Sequence, residues 1–193
     1  EGERNTSAAI IRGVAAWVKS QGCRLEGVDA YTTSTVFKGS GLSSSAAFEV
    51  LLGNIFNELF FGGQCTPARI AQTGQYAENV YFGKPSGLLD QMASSVGGMV
   101  TIDFQDNASP VVERLDFDFS SAGHALCIID SGADHADLTG EYAAVPQELK
   151  EVCAYFGKSV LREVPEADFF AALPEVRRKA GDRAVLRALH VYE

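Results

Sequence analysis

Lys38-Gly39-Ser40-Gly41-Leu42-Ser43-Ser44-Ser45-Ala46-Ala47 sets two glycines, three consecutive serines and two alanines directly before the apolar run Phe48-Glu49-Val50-Leu51-Leu52. A strand, a glycine-rich turn and a helix N-terminus in succession make an anion site. The first turn of a helix leaves N–H groups without intrahelical acceptors, and the macrodipole favours negative charge there. Gly39 and Gly41 let the backbone approach a phosphate without Cβ obstruction. The serine hydroxyls add donors, and one of them could reach a bound cation. The competing reading is a serine-rich cap on an ordinary helix. The stretch is not a P-loop, because no Gly-Lys-Ser/Thr follows at the required spacing, and it lacks the third glycine of the dinucleotide fingerprint.

A second constellation spans Gly74-Gln75-Tyr76-Ala77-Glu78-Asn79 and Gly83-Lys84-Pro85-Ser86-Gly87-Leu88-Leu89-Asp90-Gln91-Met92. An aspartate in a first helical turn is usually a partner of the helix dipole. Asp90, however, sits in a largely apolar, glycine-flanked segment, a poor place for a solvated surface carboxylate. Glu78, twelve residues earlier, could meet it across the turn. Phosphoryl transfer needs a phosphate cradle, Mg²⁺ held by carboxylate or hydroxyl oxygen, and a carboxylate set against the attacking hydroxyl. The candidates are Gly39, Ser40, Gly41, Leu42, Ser43, Ser44 and Ser45 for the cradle, a loop serine with Glu78 for the metal, and Asp90 for the base.

The elements that must position these residues follow from periodicity. Asn5 to Ser20 has helical spacing and is stopped by Gly22. Val28 to Phe37 alternates as a strand. A helix is expected from about Ser44 to Phe60, ended by Gly62-Gly63. Another starts at Thr66-Pro67 and runs to about Tyr81, with Thr as N-cap and Pro in the first position. Leu88 to Val96 reads as a short helix, and Met99 to Phe104, Val111 to Phe117 and Ala125 to Ile129 as strands. Beyond Asp130, Leu138 to Phe156, Ala167 to Leu173 and Glu175 to Val191 are helical patterns. Strands mixed with helices, then helices by themselves, predict an α+β architecture with a boundary near 130–138.

Composition narrows the class. The chain has 193 residues, a net charge of −9 and 21% charged residues, with basic residues scattered except for Arg177-Arg178-Lys179. That balance argues against a nucleic-acid partner. No apolar run is long enough to cross a membrane. Cys23, Cys65, Cys127 and Cys153 form no C-x-x-C pair, which suits a cytoplasmic protein with reduced, buried thiols. His124, His135 and His190 are too dispersed for a metal site, and Trp17 reads as packing. The polar start without Met and the uncapped final helix are expected of a segment cut from a longer chain.

The two motifs together resemble the GHMP kinase superfamily, and within it the galactokinase family. "GSGLSSSAA" resembles its phosphate-binding motif, and "AENVYFGKPSGLLDQMASSVGG" the segment with the metal glutamate and the G-x-x-D-Q aspartate. "DSGADHADLTGEYAAVPQELKEV" is similar to the stretch bearing a sugar-contacting tyrosine, and "RRKAGDRAVLRALHVYE" to the helix that follows. The resemblance runs in order over nearly the whole chain. It implies a domain like the second domain of ribosomal protein S5 over residues 1–132, with a mostly helical start of a C-terminal domain over 133–193. It implies transfer of the ATP γ-phosphate to the 1-hydroxyl of α-D-galactose, with ATP and Mg²⁺ as cofactors and a monomeric intact protein. Gly39 to Ser45 would hold ATP phosphates, Ser45 and Glu78 would bind Mg²⁺, and Asp90 would take the sugar hydroxyl's proton. Gly87, Asp90 and Tyr142 would contact the sugar.

Two departures qualify that expectation. The family's N-terminal arginine with its Glu-His-x-Asp motif, and its C-terminal glycine-rich motif, do not occur in these residues. An arginine that stabilises the reacting charge carries much of the rate, so the isolated chain is expected to be inactive or nearly so. The alternatives are a kinase for another sugar or sugar derivative and a non-catalytic sugar and ATP sensor. Tyr142 shares a helical face with Val145 and Leu149 and could instead be core.

Overall fold

Thr6 opens the first helix of the computed structural model. Its Oγ1 accepts from the Ala9 N–H at 3.3 Å, and α1 runs Ser7–Ser20. Gly22, at φ 86°, then takes the left-handed conformation that lets the chain turn away. The structure describes residues 2–36, 41–129 and 139–193, and the chain divides into two units, Glu1–Ala133 and Asp134–Glu193. The boundary expected near 130–138 lies wholly outside the described residues.

In the first unit α2 spans Ser44–Phe61 and ends on Gly62 in the left-handed region. Thr66 caps α3, Pro67–Tyr76, by accepting from Arg69 N at 3.3 Å. The helix expected to reach Tyr81 does continue, but Ala77–Phe82 winds as a π segment. Its cause is local: the N–H groups of Gly83 and Lys84 both donate to the Glu78 carbonyl, at 2.9 and 3.2 Å. These bonds reach back five and six residues, where an α-helical bond reaches back four. Helix α4 follows at Leu89–Val96.

Two glycines allow these helices to touch. A Cβ on Gly13 would lie 2.6 Å from the Ala77 Cβ, so α1 and the π segment meet backbone to backbone. A Cβ on Gly53 would lie 2.7 Å from Ile70 Cγ2, which sets α2 equally close to α3. Ile10, Val14, Val18, Leu52, Phe56 and Ala77 form the core that results. A second cluster of Ala71, Leu88 and Met92 is covered by Ile102 and Val112. These last two stand opposite each other in an antiparallel pair, β1 Met99–Asp103 and β2 Val111–Leu115.

The expected strands over Val28–Phe37 and Ala125–Ile129 are corrected. Residues 28–36 and 125–129 hold no ladder, and Phe37 lies outside the described residues. Val28, Tyr31, Leu126, Ile128 and Ile129 are exposed. Alternation makes a strand only when a neighbour pairs the backbone groups, and among the described residues these segments have none. Among the described residues the α+β expectation therefore becomes a mostly helical chain with one two-stranded sheet.

The second unit contains α5 Thr139–Tyr155, a 3₁₀ turn at Leu161–Glu163, α6 Glu166–Ala171, α7 Leu173–Ala180 and α8 Asp182–Tyr192. Val152, Cys153, Phe169, Val176, Val185 and Ala188 are among its core residues. The single helix expected over Glu175–Val191 is broken at Gly181, whose φ of 87° no helix interior accommodates. Of the four thiols, only Cys153 is buried and Cys127 is exposed, which corrects the expectation of buried cysteines. No helix among the described residues is long and apolar enough to cross a membrane.

Candidate active site

Ser45 and Glu49 lie one turn apart on α2, so they share a face. Ser45 is exposed at the helix start, whereas Glu49 is completely buried. Glu78 on the π segment and Gln91 on α4 are buried too, at 3% and 1% exposure. Gln91 Nε2 joins them, donating to Glu49 Oε2 at 2.9 Å and to Glu78 Oε2 at 3.0 Å. Space for this convergence comes from Gly74, where a Cβ would stand 3.2 Å from Glu49 Oε2 and 3.4 Å from Gln91 Cγ. One amide thus bridges two buried carboxylates contributed by different elements.

Lys84 Nζ lies 3.3 Å from Glu78 Oε1 and supplies a cation to the pair. Burial pushes the Glu49 carboxyl up to about 8 from an ordinary 4.5. The charge of Glu78 and, more weakly, that of Asp90 add to the rise, while the Gln91 hydrogen bond and Lys84 oppose it. Glu49 therefore holds a proton at neutral pH. Buried Glu49 Oε1 and Gln91 Oε1 have no hydrogen-bond partner.

Asp90 follows Leu88 on a tightly fixed connection. Ser86 N donates to Asn79 Oδ1 at 2.7 Å, while Asn79 Nδ2 and Gln75 Nε2 donate to Ser86 O at 3.3 and 3.1 Å. Buried Leu88 then anchors the entry to α4. Asp90 itself is exposed in the first turn, which corrects the expectation that its apolar surroundings would enclose it. The neighbours Gln91 and Met92 take the buried face instead, leaving the Asp90 carboxylate accessible to a ligand from solvent.

At the loop, Gly39 and Ser40 lie outside the described residues. Gly41 has φ 75°, and Ser43 is left-handed at φ 53° and ψ 44°. A serine at N-cap normally has extended backbone and caps with its hydroxyl; here the Ser43 side chain makes no capping bond. Leu42, Ser43 and Ser44 are half-buried. Gly87 is exposed, with open space where a Cβ would be. Tyr142, on α5 of the second unit, is 55% exposed, so it is not a core residue.

The structure thus links Glu78 to the helix of Asp90 through Gln91, and to the helix of Ser45 through Glu49. Sequence reasoning missed Glu49, Lys84 and Gln91 as members of this network. The available signal was Glu49 itself, a carboxylate inside an apolar run and one turn from Ser45.

For a divalent cation the donor chemistry is spare. Among the described residues no group of three or more His, Cys, Asp or Glu side chains is placed to hold a metal. A carboxylate with a hydroxyl suits Mg²⁺, which keeps waters and takes substrate phosphate oxygens rather than an all-protein cage.

Residues 9–98 match the family model described as "GHMP kinases N terminal domain". The chain is 35% identical over 191 residues to a galactokinase of Streptomyces coelicolor, covering 97% of this chain and 47% of that protein. This chain is thus similar to the galactokinases of the GHMP kinase superfamily over about half of their length. It is also 31% identical over 188 residues to a galactokinase of Actinobacillus pleuropneumoniae serotype 3, covering 95% of this chain and 47% of that protein. A solved galactokinase of Lactococcus lactis complexed with galactose superposes with a TM-score of 0.67 at 24% identity, over 96% of this chain and 48% of that one. At that identity the likeness shows the fold. The galactokinase-like chain spans about half the length of the curated relatives it matches.

Proposed function

We propose that this GHMP kinase region is the phosphate-holding, metal-holding and proton-accepting part of a sugar kinase that phosphorylates the 1-hydroxyl of α-D-galactose from ATP. One observation carries the reading: the buried Glu49–Gln91–Glu78 bridge ties the open start of α2 to the turn that presents Asp90. The left-handed residues Gly41 and Ser43 lead into first-turn N–H groups that receive phosphate oxygens. The Ser45 hydroxyl and Glu78 carboxylate hold Mg²⁺, and Asp90 orients the sugar hydroxyl and takes its proton as the new O–P bond forms and the bond to ADP breaks. Bound Mg²⁺ would offset charge building up on the phosphate oxygens. Gly87 and Tyr142, both exposed, are the proposed sugar contacts. Residues 1–132 are proposed as the N-terminal-type domain and 133–193 as the start of the C-terminal domain.

Titration calorimetry of the chain with Mg-ATP tests the reading, with Asp90→Asn, Ser45→Ala and Glu78→Gln alongside. Ser45→Ala and Glu78→Gln are expected to weaken Mg-ATP binding at least several-fold, and Asp90→Asn to leave it nearly unchanged. Equal affinity in all four forms rejects the site. In the full-length protein, Asp90→Asn is expected to lower galactose phosphorylation by at least 100-fold, as for a general base. Binding of both ligands with no turnover in either form would favour a sensor. The 193 residues by themselves are expected to bind without appreciable turnover; a galactose-dependent rate like that of the full-length protein overturns that.

A further inference from the structure

Lys84 is placed opposite Glu78 by the backbone rather than by a chance surface encounter. The Lys84 N–H donates to the carbonyl of Glu78, the residue whose carboxylate its ammonium meets. Gly83, left-handed at φ 92°, turns the chain back so that this closure forms. The two ends of the ion pair are unlike. The Glu78 side chain is 3% exposed, whereas that of Lys84 is 42% exposed. The ammonium can therefore leave into water with little change in its solvation, but the carboxylate stays behind in a buried setting. There Gln91 is its other hydrogen-bonding neighbour and the Glu49 carboxyl accepts from the same amide.

We propose that Lys84 is a built-in occupant of the cation position at Glu78, which a divalent metal ion must displace in order to bind. The inference rests on the reading of Glu78 as a metal-holding residue and adds that this chain sets its own metal affinity through an intramolecular competitor. The pair serves two ends at once. In the metal-free state the ammonium keeps buried Glu78 from standing uncompensated, a condition costly enough to shift or unfold a site. In the metal-bound state the released ammonium remains on a short tether beside the incoming phosphate groups, where its charge is favourable. Affinity for the metal by itself is lowered, and affinity for metal arriving with nucleotide is lowered less.

The test is Mn²⁺ binding to the 193-residue chain, read by the loss of the free-ion electron paramagnetic resonance signal. The forms compared are the parent, Lys84→Met, Lys84→Arg, Glu78→Gln and the Lys84→Met/Glu78→Gln double variant. Lys84→Met is expected to bind Mn²⁺ about 3- to 10-fold more tightly than the parent, the range expected for a half-exposed competing ion pair. Lys84→Arg should stay near the parent. Glu78→Gln should weaken binding, and the gain from Lys84→Met should vanish in that background, the coupling a double-mutant cycle isolates. Unchanged or weaker binding in Lys84→Met, with Glu78→Gln still weakening it, overturns the competition and leaves the metal reading standing. No effect of Glu78→Gln removes the metal reading and the inference with it, as does undetectable Mn²⁺ binding in every form. Should Lys84→Met fold poorly by circular dichroism, the parent still decides. The acylation rate of the Lys84 amine, read by peptide mass, must rise on saturation with Mn²⁺, and a constant rate rejects the displacement.

Discussion

Both units contain a carboxylate cluster, and the two are built to opposite rules. In the first, Glu49 and Glu78 are buried, share one amide, and have one half-exposed lysine between them. In the second, Glu148 meets both Arg183 and Arg187, and Arg183 also reaches Glu141. There the cations match the carboxylates and lie near solvent, which makes a strut between α5 and α8. Were both of its carboxyls ionised, the first cluster would have more negative charge than its one lysine neutralises. A fold keeps so costly an arrangement, at several kcal/mol for an uncompensated buried charge, where an external cation or a retained proton completes it.

The largest expected difference between the two clusters is in pH dependence. Unfolded Glu49 ionises near 4.5, but in the folded chain it keeps its proton to about 8. Between those values the folded state binds more protons than the unfolded state, so stability falls as pH rises across the window and levels above it. A shift of this size corresponds to roughly 5 kcal/mol over the full window. Glu49→Gln should abolish the fall, matching the parent near pH 5 and exceeding it at pH 9 in urea unfolding. Parallel curves for the two proteins would mean that Glu49 ionises normally.

Next in size is the bridge itself. Gln91→Leu leaves both carboxylates without their shared donor and should cost about 2–3 kcal/mol, the penalty for stranding buried hydrogen-bonding groups, again read by urea unfolding. Gln91→Glu is no rescue, since it adds a third buried carboxylate. A loss under 1 kcal/mol would show that the amide is not what holds the pair. Smaller again is Gly13→Ala, whose new methyl would lie 2.6 Å from the Ala77 Cβ. It should cost about 1–3 kcal/mol as overpacking and displace the π segment, so that Mg-ATP affinity falls along with stability. A stability loss without any change in affinity would separate that crossing from the site.

How much of this could be read beforehand depended on whether the signal was local. Thr66-Pro67, Gly62 and Gly83 state their meaning within a few residues, and the helices they bound lie where expected. Gly181 carried the same kind of signal, but the apolar spacing on either side stays in phase across it and masked the break. Val28 to Val36 alternates as a strand should, yet pairing requires a neighbour that no local pattern supplies. The phosphate loop, Glu78 and Asp90 stood out as candidates because their types and spacing are unusual. Glu49 and Gln91 were not, because each looks ordinary inside its own helix. Their role arises from a hydrogen bond between residues 42 positions apart, and from a glycine at 74 that leaves room for it.

The smallest expected effect probes the strut. Arg187 Nε lies 2.5 Å from Glu148 Oε2, and its side chain is 21% exposed. Arg183 holds the other oxygen of the same carboxylate. Arg187→Met keeps the aliphatic stem over the surface and removes one of two cations, so Glu148 is left paired. The change should lower stability by at most about 1 kcal/mol, typical of an ion pair near solvent, and added salt should shrink the difference further. The counterpart in the first unit, Lys84→Met, has no second cation to fall back on among the described residues. Its stability loss should therefore exceed that of Arg187→Met and should be recovered by a divalent ion. Equal losses, with no recovery by Mg²⁺, would mean that both clusters are struts of the same kind.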